Sequence, residues 1–290
     1  MRGTVAVITG GGRGIGEAIA LAFAGEGATV VLAARTASEI AQVSAKAAAA
    51  GGAAVAVPTD VSSSQDVFRL VQRALDGYGR VDVLVNAAGI LGPVGLLWDA
   101  DPDVWKRAIE VNLYGTFLCC RAVLPHMVQR RQGKIINFSG GGAASPLLRL
   151  AAYGASKAAV VRLTETLAEE VKPFNVQVNA IAPGLVNTRL QDDLLAAKER
   201  AGDQLDRVRR LRATGEGGVP PELAAALALW LASENSHGLT GKLISAPYDG
   251  WRDWDEPHIS ALKASPWFTL RRLDHATLRP LIDTITDDVG

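Results

Sequence analysis

Residues 5–20 read VAVITGGGRGIGEAIA, a β-branched run, a glycine cluster and then an Ala/Ile-rich stretch. The run Val5–Thr9 has no polar alternation, as expected of a strand covered on both faces. Gly10, Gly14 and Gly16 follow a T-G-x-x-x-G-x-G spacing. Glycines there let the backbone turn tightly and approach a pyrophosphate, and the helix that follows points its N-terminus at the anion. A lone glycine motif says little, but a strand before it and a helix after it supply the context a dinucleotide site needs. The same rhythm continues downstream. Candidate strands fall at 29–33, 53–58, 81–86, 134–138, 176–180 and 242–245, and candidate helices at 14–25, 38–50, 64–78, 102–130, 153–171 and 220–233. Regular β-α alternation with apolar strands predicts an α/β fold with a doubly wound parallel sheet.

The composition agrees. With 290 residues, 48% of them apolar, the chain can bury a large core without disulfides or metals, and disorder is excluded. Thirty Lys+Arg balance thirty Asp+Glu, which argues against a basic nucleic-acid-binding face and against a polybasic membrane surface. The only cysteines, Cys119 and Cys120, are adjacent, a poor geometry for a disulfide, so a reducing compartment is the simpler expectation. No apolar run approaches the roughly 18 residues of a membrane span. The short run near the N-terminus ends in glycines and reads as a buried strand rather than a signal peptide. A cytoplasmic, soluble protein is expected.

Two segments break the rhythm. Residues 184–219 carry charges of both signs, including DRVRRLR at 206–212, and follow a strand's carboxyl end, where ligands bind; a substrate lid is expected. Residues 251–290 form a C-terminal extension beyond a single domain over 1–250. Its Trp251, Trp254, Trp267 and Phe268, followed by RRLDHATLR, predict docking on the body or on a partner subunit.

The second strand ends in Ala34 and Arg35, where a site selective for NAD would place a carboxylate for the adenosine ribose. Arg35, with Arg13 inside the glycine loop, suits a 2′-phosphate, so NADP is expected over NAD. Further on, Tyr153-Gly-Ala-Ser-Lys157 opens a helix, and the i, i+4 spacing sets both side chains on one face. A phenol with a pKa of about 10 is a poor proton donor or acceptor at neutral pH, and an adjacent ammonium shifts it toward the working range.

TGGGRGIG at 9–16, NAAG at 86–89, EVN ending in Asn112, YGASK at 153–157 and NAIAPG at 179–184 stand in an order and spacing that resemble the short-chain dehydrogenase/reductase family, over roughly residues 1–250. The resemblance implies a Rossmann domain that moves a hydride between a nicotinamide cofactor and a secondary alcohol/ketone pair. Tyr153 would exchange the proton with the substrate oxygen. Lys157 would hold the nicotinamide ribose and lower the Tyr153 pKa, and Asn112 would organise a water in the relay. Gly10, Gly12, Arg13, Gly14, Ile15 and Gly16 would cradle the cofactor, with Asp60 and Val61 at its adenine, Asn86, Ala87 and Gly89 along it, and Pro183, Gly184 and Thr188 beside the nicotinamide. A homo-oligomer, dimer or tetramer, paired through helices 102–130 and 153–171 is implied as well.

One position departs. The family's substrate-orienting Ser lies 13 residues before the Tyr, and here that residue is Gly140, one step after Ser139. Neighbours on a strand face opposite ways, so Ser139 could serve only if the following glycines bend the chain and bring it, or Ser145, into place. The expected function is reduction or oxidation of a small polar substrate such as a sugar or cyclitol derivative. The alternatives are 3-oxoacyl-thioester reduction, with Arg207–Arg212 meeting a phosphopantetheine or acidic carrier, and an impaired NADP(H)-binding regulatory protein. His126, His237, His258 and His275 show no ligand-like spacing, so no metal is expected.

Overall fold

The computed structural model describes residues 1–271. Seven strands form one all-parallel sheet: β1 (Val5–Thr9), β2 (Thr29–Ala34), β3 (Ala53–Pro58), β4 (Val83–Asn86), β5 (Gly133–Phe138), β6 (Val176–Ala182) and β7 (Leu243–Ser245), in the order β3-β2-β1-β4-β5-β6-β7. The chain winds outward from β1 in one direction and from β4 in the other. That reversal opens a crevice outside the carboxyl ends of the two strands, where open α/β sheets bind ligands.

Helices cover both faces. On one lie α1 (Gly14–Gly25), α2 (Ala37–Ala49) and α9 (Pro221–Ala232), which bury Phe23, Ile19 and Leu227 completely against Ile8, Leu32 and Ile181. On the other lie α3 (Ser64–Tyr78), α5 (Gly115–Arg130) and α6 (Ala151–Val171), with Leu70, Val123, Met127 and Val160 inaccessible to solvent. Each such side chain stabilises the fold by roughly 1.5–3 kcal/mol relative to exposure. The apolar strands of the sequence are apolar because the sheet has no wet face.

The helix expected over 102–130 is interrupted. The stretch is α4 (Pro102–Ile109), a π-helical turn at Glu110–Tyr114, and α5. Periodicity does not reveal a π turn, which inserts one residue into an otherwise helical register. Here the turn carries Asn112.

The segment 184–219 is helical: α7 (Leu190–Ala197), a 3-10 turn at Lys198–Ala201, and α8 (Asp203–Thr214). A parallel bridge between Val186 and Val219 ties its two ends together. The charges face outward, while Leu194, Ala197, Ala201, Leu205 and Val208 form a third buried cluster with Leu91, Leu150 and Tyr153. In the extension, α10 (Glu256–Ala264) follows Trp251, whose ring lies 6.0 Å from Trp230 of α9 and whose indole N–H donates to the Ala246 carbonyl. Trp254 bridges Trp230 and Phe268, and Phe268 accepts the Leu243 N–H at the sheet edge. Through Phe268 the tail therefore docks on its own body, with Trp267 left partly exposed outside the aromatic cluster. The rest of RRLDHATLR beyond Arg271, with His275, lies outside the described residues.

Candidate active site

The glycine loop leaves β1 through Gly10 at φ +68°, and a Cβ on Gly16 would stand 2.1 Å from the Gly10 carbonyl oxygen. Backbone packs on backbone there, so α1 can begin beneath the loop and aim its first N–H groups into the crevice. Gly10, Gly12, Arg13, Gly14, Ile15, Gly16, Arg35, Asp60, Val61, Ala87, Gly89 and Thr188 line one groove of about 200 Å³ at the switch point. Five expected residues do not line it: Tyr153 and Lys157, described below, and Asn86, Pro183 and Gly184. Asn86 is buried and donates to Asn137 Oδ1 at 2.9 Å, tying β4 to β5. Pro183 is buried, and Gly184, at φ +80°, packs under Val219 at the base of the lid.

No acidic side chain terminates β2. Arg35 is exposed there and has no carboxylate partner among the described residues, whereas Arg13 has one. Its guanidinium pairs with Glu39 at 3.1 Å, and Glu39 also pairs with Arg189 of the lid at 3.1 Å. Three cations and one carboxylate thus surround the place where the second strand ends. Asp60 sits at the far wall. Burial raises its carboxyl, but bonds from Ser62 and Arg107, the latter at 2.6 Å, outweigh that and hold it below the usual range. The groove, free of side chains at Gly10 and Gly16 and basic at the β2 end, fits a dinucleotide, with Arg35 placed for a 2′-phosphate.

Tyr153 and Lys157 share a face of α6, one turn inside a helix that begins at Ala151. Lys157 is buried; its Nζ donates to the Phe138 carbonyl at 2.8 Å and lies 5.6 Å from the Tyr153 ring centre. Burial pushes the lysine down to about 8 and the Tyr153 phenol up to about 12. Desolvation of the phenolate is what raises Tyr153, and no lowering by the Lys157 ammonium offsets it here. Asn112 reaches both neighbours: its amide donates to the Ile90 carbonyl and to Ser156 Oγ, and its Oδ1 accepts the Ile90 N–H, each at 2.9 Å. Ser156 in turn donates to the Tyr153 carbonyl at 2.7 Å. This chain fixes the loop after β4 against the turn of α6 that carries Tyr153. Ser156 went unremarked in the sequence because nothing marks it as a hydrogen-bond relay until the π turn is seen.

Ser139 is buried with its hydroxyl directed at the Lys157 carbonyl, 3.4 Å away. Its hydroxyl is thus turned to the chain's own backbone, and Ser145 is exposed in the loop beyond. The position that faces the phenol is Gly140, where a Cβ would stand 2.5 Å from Tyr153 Oη. The glycines do not turn Ser139 inward; they leave room for the phenol itself, and for α6, whose Gly154 Cα lies 2.9 Å from where a Gly142 Cβ would be. Cys119 and Cys120 are buried and their thiols pushed up by desolvation, which makes them inert. Among the described residues no three His, Cys, Asp or Glu gather as a metal site, and no helix is long and apolar enough to cross a membrane.

A family profile for short chain dehydrogenases matches residues 4–199. The short-chain reductase protein NovJ of Streptomyces niveus is 40% identical over 253 residues, covering 86% of this chain and 94% of its own. The 3-oxoacyl-[acyl-carrier-protein] reductase FabG of Thermotoga maritima is 35% identical and covers 84% of this chain and 96% of its own. Among solved structures, NAD+-bound xylitol dehydrogenase superposes with a TM-score of 0.79 at 26% identity, over 84% of this chain and 97% of that one. An actinorhodin polyketide ketoreductase with NADPH superposes with a TM-score of 0.77 at 29% identity, over 83% and 95%. With a Rossmann-like sheet, a glycine loop under the crevice and a Tyr–Lys face beside it, the chain belongs to the short-chain dehydrogenase family of oxidoreductases, which act on CH–OH and keto groups.

Proposed function

We propose that this enzyme is an NADP(H)-dependent reductase of a ketone on an apolar, acyl-type substrate, of the 3-oxoacyl-thioester class. The observation that carries the reading is the underside of the lid. Leu194, Ala197, Leu205 and Val208 pack with Leu91, Leu150 and Tyr153, so the inner face of the lid against the phenol is apolar. Several of the charges that favoured a sugar or cyclitol pair with one another within the lid, Arg212 with Asp192 and Arg209 with Asp206. The thioester reading also gains from the 3-oxoacyl reductase activity of the Thermotoga relative and from the ketoreductase neighbour. Arg35, with Arg13 and Arg189 nearby, supports NADP over NAD.

The bound cofactor supplies or accepts the hydride; the chain's own residues manage the proton. Tyr153 gives its phenolic proton to the substrate oxygen in reduction. Because burial holds that proton up to about 12, the donor form persists through neutral pH, whereas oxidation needs phenolate and accelerates as pH rises. Lys157 holds the ribose hydroxyls and compensates the developing phenolate, and Asn112 with Ser156 keeps Tyr153 in register with the loop after β4. The enzyme works in the cytoplasm as a homo-oligomer, with the exposed stacked pair Tyr114–Phe117 in its interface.

The test is NADPH consumption with 3-oxobutyryl-CoA, xylulose and simple cyclic ketones. Turnover of the thioester at least tenfold more efficient than of the sugar is expected; preference for xylulose would return the assignment to polyols.

A further inference from the structure

A second cavity, of about 590 Å³, opens beside the cofactor groove and shares Ile90 with it. Ile90 follows Gly89, where a Cβ would meet Lys157 Nζ at 3.5 Å, so this cavity begins next to the catalytic lysine. Its walls come from three parts of the chain. The loop 92–101 follows β4, Arg149 lies on the approach to α6, and Asp193, Ala196, Ala197 and Arg200 belong to the lid.

Two arginines stand on these walls. Arg149 adopts φ +69°, a left-handed conformation that a branched-off side chain rarely takes, and its carbonyl accepts the Gly95 N–H at 2.9 Å. Its Nε lies 3.3 Å from where a Cβ on Gly202 would stand, so the turn of the lid fits around the guanidinium. Arg200 stands on that same lid turn, its Cβ 3.9 Å from a Cβ built on Gly95. Three acids line the cavity, yet none lies within ion-pair distance of either arginine among the described residues. Asp101 is engaged as the N-cap of α4, accepting from Asp103 and Val104, and Asp99 is exposed at the rim. Asp193 is raised by burial and by Asp192 beside it, which weakens it as a competitor. By contrast, Arg13, Arg107, Arg189 and Arg212 each have a carboxylate. A guanidinium presents a planar fork of donors that matches a carboxylate or phosphate, and two of them without internal partners across one cavity leave that capacity for a ligand.

We propose that this cavity is an anion subsite, in which Arg149 from the core and Arg200 from the lid hold a carboxylate or phosphate borne by the substrate away from its keto carbon. The subsite deepens the carbonyl-reductase reading and rests on it for the position of the reacting carbon. Such an anion would join Arg149 of the core to Arg200 of the lid across this cavity, a link additional to the Glu39–Arg189 pair and the apolar packing beneath the lid. The anion is either the phosphate of a phosphopantetheine thioester or the free carboxylate of a short keto acid.

The test uses two matched pairs with the full-length enzyme and NADPH. They are 3-oxobutyryl-phosphopantetheine against 3-oxobutyryl-pantetheine, and monoethyl against diethyl 3-oxoglutarate. In wild type, kcat/KM favours the charged member of at least one pair, and the pair that shows it identifies the source. In Arg149→Gln and Arg200→Gln, that charged-over-neutral ratio falls about 30-fold, the loss of one or two bonds to a charged group. Should Arg149→Gln fail to fold, Arg200→Gln on its exposed turn decides alone. A wild-type ratio near one for both pairs, or a ratio unchanged in the variants, overturns the subsite. Calorimetry with phosphopantetheine and with glutarate, without turnover, separates the two levels of the argument. If no ketone is reduced but one of these anions binds wild type and not the double variant, the subsite stands and the substrate class falls. If neither anion binds, or both bind the double variant equally, the subsite falls whatever is reduced.

Discussion

The cofactor half of the site and its substrate half are held together by different kinds of contact. Under the glycine loop, main chain meets main chain, with Gly16 pressed against the Gly10 carbonyl and Gly10 against Ala88. Around Tyr153 the walls are side chains: the lid leucines, Ile90 held by Asn112, and a phenol filling the space above Gly140. Backbone contacts tolerate nothing larger than hydrogen, whereas side-chain walls can repack, so one half is rigidly specified and the other is free to change its ligand.

The largest effect belongs to the chemistry at the boundary. Tyr153→Phe keeps the ring in the lid cluster and removes only the proton, so kcat should fall about a thousandfold while the NADPH dissociation constant stays within a factor of about two. A comparable loss of NADPH affinity in a fluorescence titration would mean the two halves cannot be separated at this residue. The next comparison sets one added methyl against another. In Gly16→Ala the new carbon stands 2.1 Å from a carbonyl oxygen that cannot move without distorting β1, and dinucleotide affinity should drop about 100-fold. In Gly140→Ala it stands 2.5 Å from the tip of a side chain, and kcat should drop only about tenfold with cofactor binding retained. Equal losses in the two variants would erase the distinction.

The difference also explains what could be read from the amino acids alone. The glycine spacing, the apolar strands and the YGASK run are local, and each limits the backbone within one β-α unit, so the parallel sheet and the groove residues follow from them. What the local sequence does not show depends on distant partners. Asn86 lies in NAAG but points across to Asn137; the single helix over 102–130 hides the π turn at Asn112; and the charge pattern of 184–219 conceals an apolar inner face. The partner of Arg13, Glu39, sits 26 residues away on α2 and is not marked by the local sequence. Ser139 follows a strand and turns its hydroxyl to the Lys157 carbonyl, so the bend that the glycines after it could allow is not made.

Lys157 allows the chemistry to be weighed against the fold. Its pKa of about 8, against an ordinary 10.5, means the charged ammonium is disfavoured by burial. Below pH 8 it is protonated folded and unfolded, so the destabilisation is fully present. Between about 8 and 10.5 the folded protein gives up the proton first, and the destabilisation fades. At 1.36 kcal/mol per unit this is on the order of 3 kcal/mol, of which leaving the Phe138 carbonyl unpaired would cancel about 1. Lys157→Met should therefore be inactive yet about 2 kcal/mol more stable than wild type at pH 7 in urea unfolding, with the advantage gone near pH 10. A variant less stable at pH 7 would show that the lysine supports the fold rather than straining it.

The smallest effects test the basic end of the groove. Arg35→Asp replaces an unpartnered cation by the ribose-binding acid and should shift kcat/KM from NADPH toward NADH by about tenfold or more. Glu39→Gln acts in the opposite direction and more weakly. Its carboxylate holds Arg13 and Arg189, and all three groups are at least partly exposed, so each pair contributes no more than about 1 kcal/mol. Removing the carboxylate frees two guanidiniums for a 2′-phosphate but loosens the contact between α2 and the lid, so NADPH affinity should rise only about threefold, with NADH affinity unmoved. The gain should shrink as salt is raised from 0.05 to about 0.5 M, because the groups involved are exposed and screened within a Debye length of roughly 4–14 Å. If NADPH affinity falls instead, Glu39 is acting as a strut that keeps Thr188 and Arg189 over the groove, and lid closure, rather than charge, sets how tightly this half of the site holds its cofactor.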